Sequence, residues 1–285
     1  MKKCDICFLD INDEIFEDHI GICINEQINL LDSIKKPVEI QKEYEFTECQ
    51  KIGFKYALKK SKIHAKSTYD NCVIRFKDLG FDENILKKVI EHISNDVKIT
   101  MNINTATIEQ IIRDRSEHCK NLYEIGRGNS GRSNWETNLF HGAYDKAEHR
   151  ERVKYGALNL FQSNSGIASC YGYGNVHFVL KKHINKRTSF VCGDSASMMF
   201  HICTFKYNNQ LLLFLEENIL KDLINHVLSE NKNYNYYKNY NYVEAQIHGF
   251  VRFDTDIESL VIKRNLLTKS IENFCYNNKI QIKII

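Results

Sequence analysis

The sequence predicts an α+β protein, and three observations carry that expectation. Apolar residues recur at three- and four-residue spacing through Ile85, Leu86, Val89, Ile90 and Ile93, the signature of an amphipathic helix. Strict alternation marks 97–103 and 242–248 as strands. The first 30 residues crowd three cysteines and a histidine into a unit too small to fold on a core of its own.

Composition narrows the function classes. The 285 residues are 43% hydrophobic and 26% charged, enough for a real core and unlike a disordered chain. Lys plus Arg number 39 against 36 Asp plus Glu, and the resulting +3 is spread along the chain, which argues against nucleic acid as a main partner. No run approaches the roughly 18 apolar residues of a membrane span. The best, Leu211–Leu215, stops at Glu216 and Glu217 and reads as a buried strand or the start of a helix. Met1-Lys2-Lys3 leads into Asp5, Asp10 and Asp13 rather than into a secretory apolar segment, so a cytoplasmic, soluble chain is expected. Seven cysteines lie singly in apolar or mixed surroundings and read as small buried hydrophobes of a reducing compartment.

Three segments are expected: a zinc-finger module at 1–30, a helical region at 31–95 and a large domain at 96–285. In the first, two residues separate Cys4 from Cys7, so one tight knuckle can aim two sulfurs at a point. His19 and Cys23 are four apart and share a helix face. Three thiolates and an imidazole form a closed tetrahedral set that suits structural zinc, worth on the order of ten kcal/mol of folding free energy to so small a piece. The alternative is that these four residues belong to the core of a helical hairpin. The Cys-x2-Cys-x11-His-x3-Cys frame resembles the ubiquitin-binding zinc fingers of DNA-repair proteins. That resemblance implies a small ββα fold, zinc, and ubiquitin as a partner, although the acidic residue that family carries two places after its histidine is Gly21 here.

In the helical region the run Lys59-Lys60-Ser61-Lys62 reads as a solvated helix face or linker rather than a nucleic-acid patch. After the strand at 97–103, helical spacing returns from Thr105 to Arg115. Residues 231–241 (NKNYNYYKNYN) form a low-complexity loop insertion.

The chemistry concentrates in the second half. Residues 119–145 hold Gly126, Gly128, Gly131 and Gly142 in a polar loop with Glu124, Asn129, Arg132, Trp135 and Glu136. Glycines this dense let a ligand approach the backbone, and the arginines suit a phosphate. A block from Glu151 to Asn159 follows, then a strand at 176–181 and the segment Arg187–Ser195. On the last strand Tyr242, Glu244, Gln246 and His248 share one face, as in a cleft wall or a solvated edge.

These blocks (Tyr123-Glu124-Ile125-Gly126, Trp135 to Tyr144, Glu151 to Leu158, Arg187 to Ser195 and Glu244 to Gly249) resemble a largely uncharacterised domain family of bacteria and lower eukaryotes. Two positions depart from its pattern: Val153 replaces a proline, and His141 stands where glycine is usual. The architecture of that family is similar to mono-ADP-ribosyltransferases. The resemblance implies split β-sheets around an NAD cleft and transfer of one ADP-ribose to a protein side chain. It makes Glu244 the catalytic carboxylate, with Glu136 either a second candidate or the partner of Arg132 or Arg152. It assigns Asn129, Arg152, Tyr155, Asp194, Ser195 and Gln246 to the NAD-binding set, with His248 either a member of that set or a hydrogen-bonding part of the strand framework. Arginine is the weakly preferred acceptor, although the Glu or Gln usual two residues before the catalytic glutamate is Tyr242 here. By analogy the substrate includes a host protein and the setting an effector delivered into a host cell. A non-enzymatic ubiquitin-binding adaptor and an NAD glycohydrolase are the competing expectations.

Overall fold

The computed structural model describes residues 2–3, 10–11, 13, 46–197, 201–230, 232 and 242–285. The expected zinc ligands Cys4, Cys7, His19 and Cys23 lie outside the described residues, as does the loop insertion except Lys232. Two short strands, β1 (Lys2–Lys3) and β2 (Asp10–Ile11), pair antiparallel with Lys2 opposite Ile11. The segment that links them contains Cys4 and Cys7.

Helix α1 (Glu48–Asp78) is 31 residues long and begins where the Thr47 amide donates to Gln50 Oε1 at 3.0 Å. A turn leads to α2 (Glu83–Asn95), whose N-cap Asp82 accepts from the Ile85 amide at 3.0 Å. Leu86, Val89 and Ile93 are buried, as the periodicity predicts. Strand β3 (Lys98–Ile103) and helix α3 (Thr105–Arg113) also fall where alternation and helical spacing place them. The expected polar loop is instead partly helical. Asn129 caps α4 (Ser130–Phe140) by accepting from the Arg132 amide at 2.9 Å, and the helix ends at His141, left-handed at φ 51°. That conformation gives a physical reason for glycine to be usual at this position.

Next come β4 (Lys154–Asn159), β5 (Val176–Leu180), β6 (Thr188–Cys192) and the two-residue β7 (Cys203–Thr204). Leu211–Phe214 forms the short helix α5, followed by α6 (Glu217–Leu228). After β8 (Val243–Ile247) the chain turns through Gly249 at φ +85° into the short helix α7 (Phe253–Asp256), then β9 (Ile257–Ile262), α8 (Lys269–Asn277) and β10 (Gln281–Ile284).

Strands β3 to β10 form one eight-stranded sheet in the order β10-β9-β5-β3-β4-β8-β6-β7. The β9–β10 pair is parallel and the other pairs are antiparallel. The α+β class therefore holds. The two half-sheets are not separate ladders, because β3 belongs to both. Its first half, Lys98 to Thr100, pairs with Asn159 to Ala157 of β4. Its second half, Thr100 to Ile103, pairs with Val179 to Val176 of β5. Past Thr100, β3 and β4 part company, and a cavity opens where the ladder stops.

The main core runs through α1, α2 and the sheet without a break, uniting Cys72, Phe76, Leu86, Val89 and Ile93 with Ile99, Phe178, Phe190 and Ile247. Helices α1 and α2 thus share one core with the sheet. A smaller cluster on the Glu244 face joins Ala57 of α1, Leu139 and Phe140 of α4, Tyr144, Val153, Val191 and Ile202. Among the described residues no helix is long and apolar enough to cross a membrane.

Candidate functional site

The cavity between the parted strands has a volume of about 340 Å³. One wall is Thr100 to Ile103 of β3. The other is Tyr155, Gly156 and Ala157 of β4 with Glu244 of β8. Asp194, Ser195 and Tyr242 line one end, and Asn121, Arg127, Arg132 and Trp135 come from the glycine-rich loop and α4. Of the residues expected from the sequence, the fold brings Glu244, Tyr155, Asp194 and Ser195 to this cavity. It buries Glu136, Arg152, Gln246 and His248 outside the lining and leaves Asn129 exposed at the start of α4.

Pairing explains the division. In register, Glu244 lies opposite Ala157 on β4 and Val191 on β6, so it sits in the middle of the half-sheet. Its side chain is 7% exposed. Gln246 donates from Nε2 to Glu244 Oε1 at 2.9 Å, and Ser195 makes a second side-chain hydrogen bond to the carboxylate. Burial pushes the Glu244 carboxyl up to about 7. The two hydrogen bonds pull it down, Asp194 adds to the rise and Arg132 opposes it.

The other two glutamates singled out in the sequence serve the scaffold. Glu136, wholly buried, accepts from Arg152 Nη1 at 2.6 Å and from the Tyr155 hydroxyl at 3.0 Å. Arg152 also lies over the Tyr123 ring at 4.4 Å and is itself buried. This clamp joins the loop, α4 and β4, and it uses Arg152 internally. Burial pushes the Glu136 carboxyl up against the opposing pull of Arg152 and Tyr155. Glu124 accepts from the Asn121 amide at 2.9 Å and pairs with His118 at 3.0 Å and with the buried Lys154 at 3.4 Å. It pins the start of the loop to β4.

Arg132 is the cation left to the cavity by α4. Its guanidinium stands 5.2 Å from the Tyr155 ring centre and 5.7 Å from that of Trp135, and among the described residues it has no hydrogen-bonded or ion-paired side-chain partner. A guanidinium stacked on aromatic faces with its N–H groups free is ready for an anion. At one end of the cavity, Tyr242 donates to Asp194 Oδ2 at 3.0 Å and its oxygen lies 2.8 Å from the Tyr173 hydroxyl. Arg127, Arg132, Trp135, Tyr173 and Tyr242 also line the cavity, although the sequence does not place them in the NAD-binding set. The Arg132–Trp135 spacing of three, read as one helix face, is the signal that could have found that pair.

Residues 116–224 match a family model described as a protein of unknown function (DUF3626). The matched segment includes the loop, α4, β4, β5 and β6, and stops before β8, so Glu244 lies beyond it. A comparison of the chain with curated proteins gives no match.

Proposed function

We propose that the protein is an NAD-dependent mono-ADP-ribosyltransferase that modifies a protein side chain, with Glu244 as the catalytic carboxylate. The observation that carries this reading is a buried, hydrogen-bonded glutamate at the wall of a cavity that also holds a guanidinium stacked on two aromatic rings and without an ion-paired partner among the described residues. When nicotinamide leaves, its ribose becomes oxocarbenium-like, and a fixed carboxylate in a water-poor site stabilises that charge. Glu244 serves that role once ionised. Arg132, backed by Tyr155 and Trp135, suits the pyrophosphate, with Arg127 a second cation on the same wall. Ser195 and Asp194 suit the ribose hydroxyls. The acceptor, with arginine the weak preference, enters past Tyr242 and Tyr173. Glu136 and Arg152 act on this chemistry only by holding Tyr155 in place.

In the N-terminal module, Cys4, Cys7, His19 and Cys23 would hold structural zinc and give a targeting element, for which ubiquitin is the partner suggested by the resemblance. The paired strands β1 and β2 on either side of the Cys4–Cys7 segment support that reading.

The test incubates the full chain with NAD labelled in its ADP-ribose part and a eukaryotic lysate. Label on protein that disappears in Glu244→Gln supports the proposal. Nicotinamide release without protein label identifies an NAD glycohydrolase. Neither label nor release refutes an enzymatic role and leaves the adaptor.

A further inference from the structure

Behind Glu244 runs a file of buried polar side chains that never reach the cavity: Gln246, Ser189, His248 and Tyr144. With Glu244 ionised, the donors and acceptors these groups possess allow only one direction of donation. The carboxylate can only accept, so Gln246 donates its amide N–H to Glu244 Oε1 at 2.9 Å. The amide oxygen of Gln246 then faces Ser189 Oγ at 3.2 Å, and the serine must donate. A hydroxyl has one hydrogen. At its contact with His248 Nε2, 3.0 Å away, Ser189 is therefore the acceptor and the imidazole carries its proton on Nε2. That leaves Nδ1 as a lone pair, which accepts a hydrogen bond from the Tyr144 hydroxyl at 2.7 Å.

The far end of the file is rigid. The ring centre of His248 lies 5.2 Å from that of Phe54 and 5.1 Å from that of Phe140, and Arg187 bonds its carbonyl oxygen. Burial, reinforced by the Arg187 charge, pushes His248 down to about 3, so the ring is neutral and moves no proton near neutrality. Tyr144 fits because residue 53 of α1 is glycine: a Cβ there would stand 2.6 Å from the tyrosine ring.

We propose that Tyr144, His248 and Ser189 are positioning residues, which fix the Gln246 amide so that its N–H rather than its oxygen faces Glu244. The catalytic part of this inference rests on the reading of Glu244 given above; the hydrogen-bond order does not. Turned over, the amide would set oxygen against carboxylate and push Glu244 away from a sugar in the cavity.

The experiment combines ¹⁵N shifts of His248 with a ¹³C titration of the Glu244 carboxyl in wild type, Tyr144→Phe, Ser189→Ala and Ser189→Thr. Wild-type His248 is expected as the neutral Nε2–H tautomer. Ser189→Ala removes the donor that holds the amide and raises the Glu244 midpoint by about one pH unit, the scale of one hydrogen bond to a charged group. Ser189→Thr keeps the hydroxyl and restores the midpoint. Tyr144→Phe admits the Nδ1–H tautomer. The other ionisable groups that interact with Glu244, namely Asp194, Arg132, Tyr155, Tyr242 and Cys170, are the same in every variant. In the NAD assay Ser189→Ala lowers kcat about tenfold and leaves KM unchanged. An Nδ1–H or charged His248 in wild type, or a Glu244 midpoint unmoved in Ser189→Ala, overturns the proposal. Shifted titrations in a protein with no activity on NAD would keep the hydrogen-bond order and remove the catalytic reading alone.

Discussion

Glu244→Gln separates the electrostatic cost of the buried carboxylate from its chemistry. The folded protein holds the Glu244 proton up to about pH 7, whereas the unfolded chain releases it near the ordinary 4.5. Between these values the native state carries a proton the unfolded state lacks, so stability falls as pH rises through that window. At about 1.4 kcal/mol per tenfold change, the loss amounts to roughly 3 kcal/mol and is complete above pH 7 to 8. With Glu244 only 7% exposed, solvent screens little of it. Glutamine cannot ionise, yet it keeps both partners: its oxygen accepts from Gln246 and its amide donates to the Ser195 oxygen. The variant should therefore match wild type near pH 4.5 and exceed it by about 3 kcal/mol at pH 8. Urea unfolding at pH 5, 6, 7 and 8 measures the gap directly. A gap that stays constant across that range refutes the raised carboxyl. The same titration requires label transfer to climb from pH 6 to 8, since only the ionised carboxylate stabilises a cationic sugar.

Other outcomes follow from the division between clamp and cavity. Arg152→Ala strands Glu136 in a buried site without its counter-ion and is expected to lower stability by about 3–5 kcal/mol in urea unfolding; a change below 1 kcal/mol would contradict the clamp. Arg132→Ala removes a cation with no ion-paired partner among the described residues, so stability should move by less than about 1 kcal/mol. Because Trp135 is the single tryptophan, its fluorescence reports the cavity: NAD should quench it in wild type, and Arg132→Ala should weaken that binding about tenfold or more. Freshly purified protein should contain about one zinc per chain by elemental analysis, and Cys7→Ser should lose it; far less than one equivalent in wild type would remove the zinc module.

The elements legible in the sequence were those whose pattern and burial agree. Helix α2 shows an uninterrupted apolar stripe, and β3 alternates cleanly. Helix α1 hides its length because its inward face includes Lys55, Lys60, Ser61, His64 and Thr68 among its buried residues. The basic run expected to be solvated is correspondingly split. Lys60 is buried, with its ammonium 3.5 Å from the Tyr56 hydroxyl, and burial pushes it down to about 8. In the site, Glu244 could be picked out by its strand register. The choice between Arg152 and Arg132 could not, since both neighbour aromatic residues and an acid in the sequence. Only the capping of α4 by Asn129, and with it the helix phase, turns Arg132 and Trp135 to the cavity and Glu136 inward. The glycines at 126, 128 and 131 mask that N-cap in the sequence. They read as a loop because helix propensity disfavours them, yet Gly131 tolerates the first helical turn.

Where the two halves of the sheet meet, the contact is three residue pairs long, and Gly156 stands just past its last rung. A methyl group on Gly156 would sit 2.7 Å from the carbonyl oxygen of Thr100 and 3.2 Å from the Met101 side chain. The glycine therefore lets the zipper close as far as it does beside the cavity. Any larger residue there becomes a wedge that pries β3 from β4 from the inside, trading cross-strand bonds for a gaping entrance. The approach of β3 and β4 beside the cavity thus depends on a backbone position that carries no functional group at all.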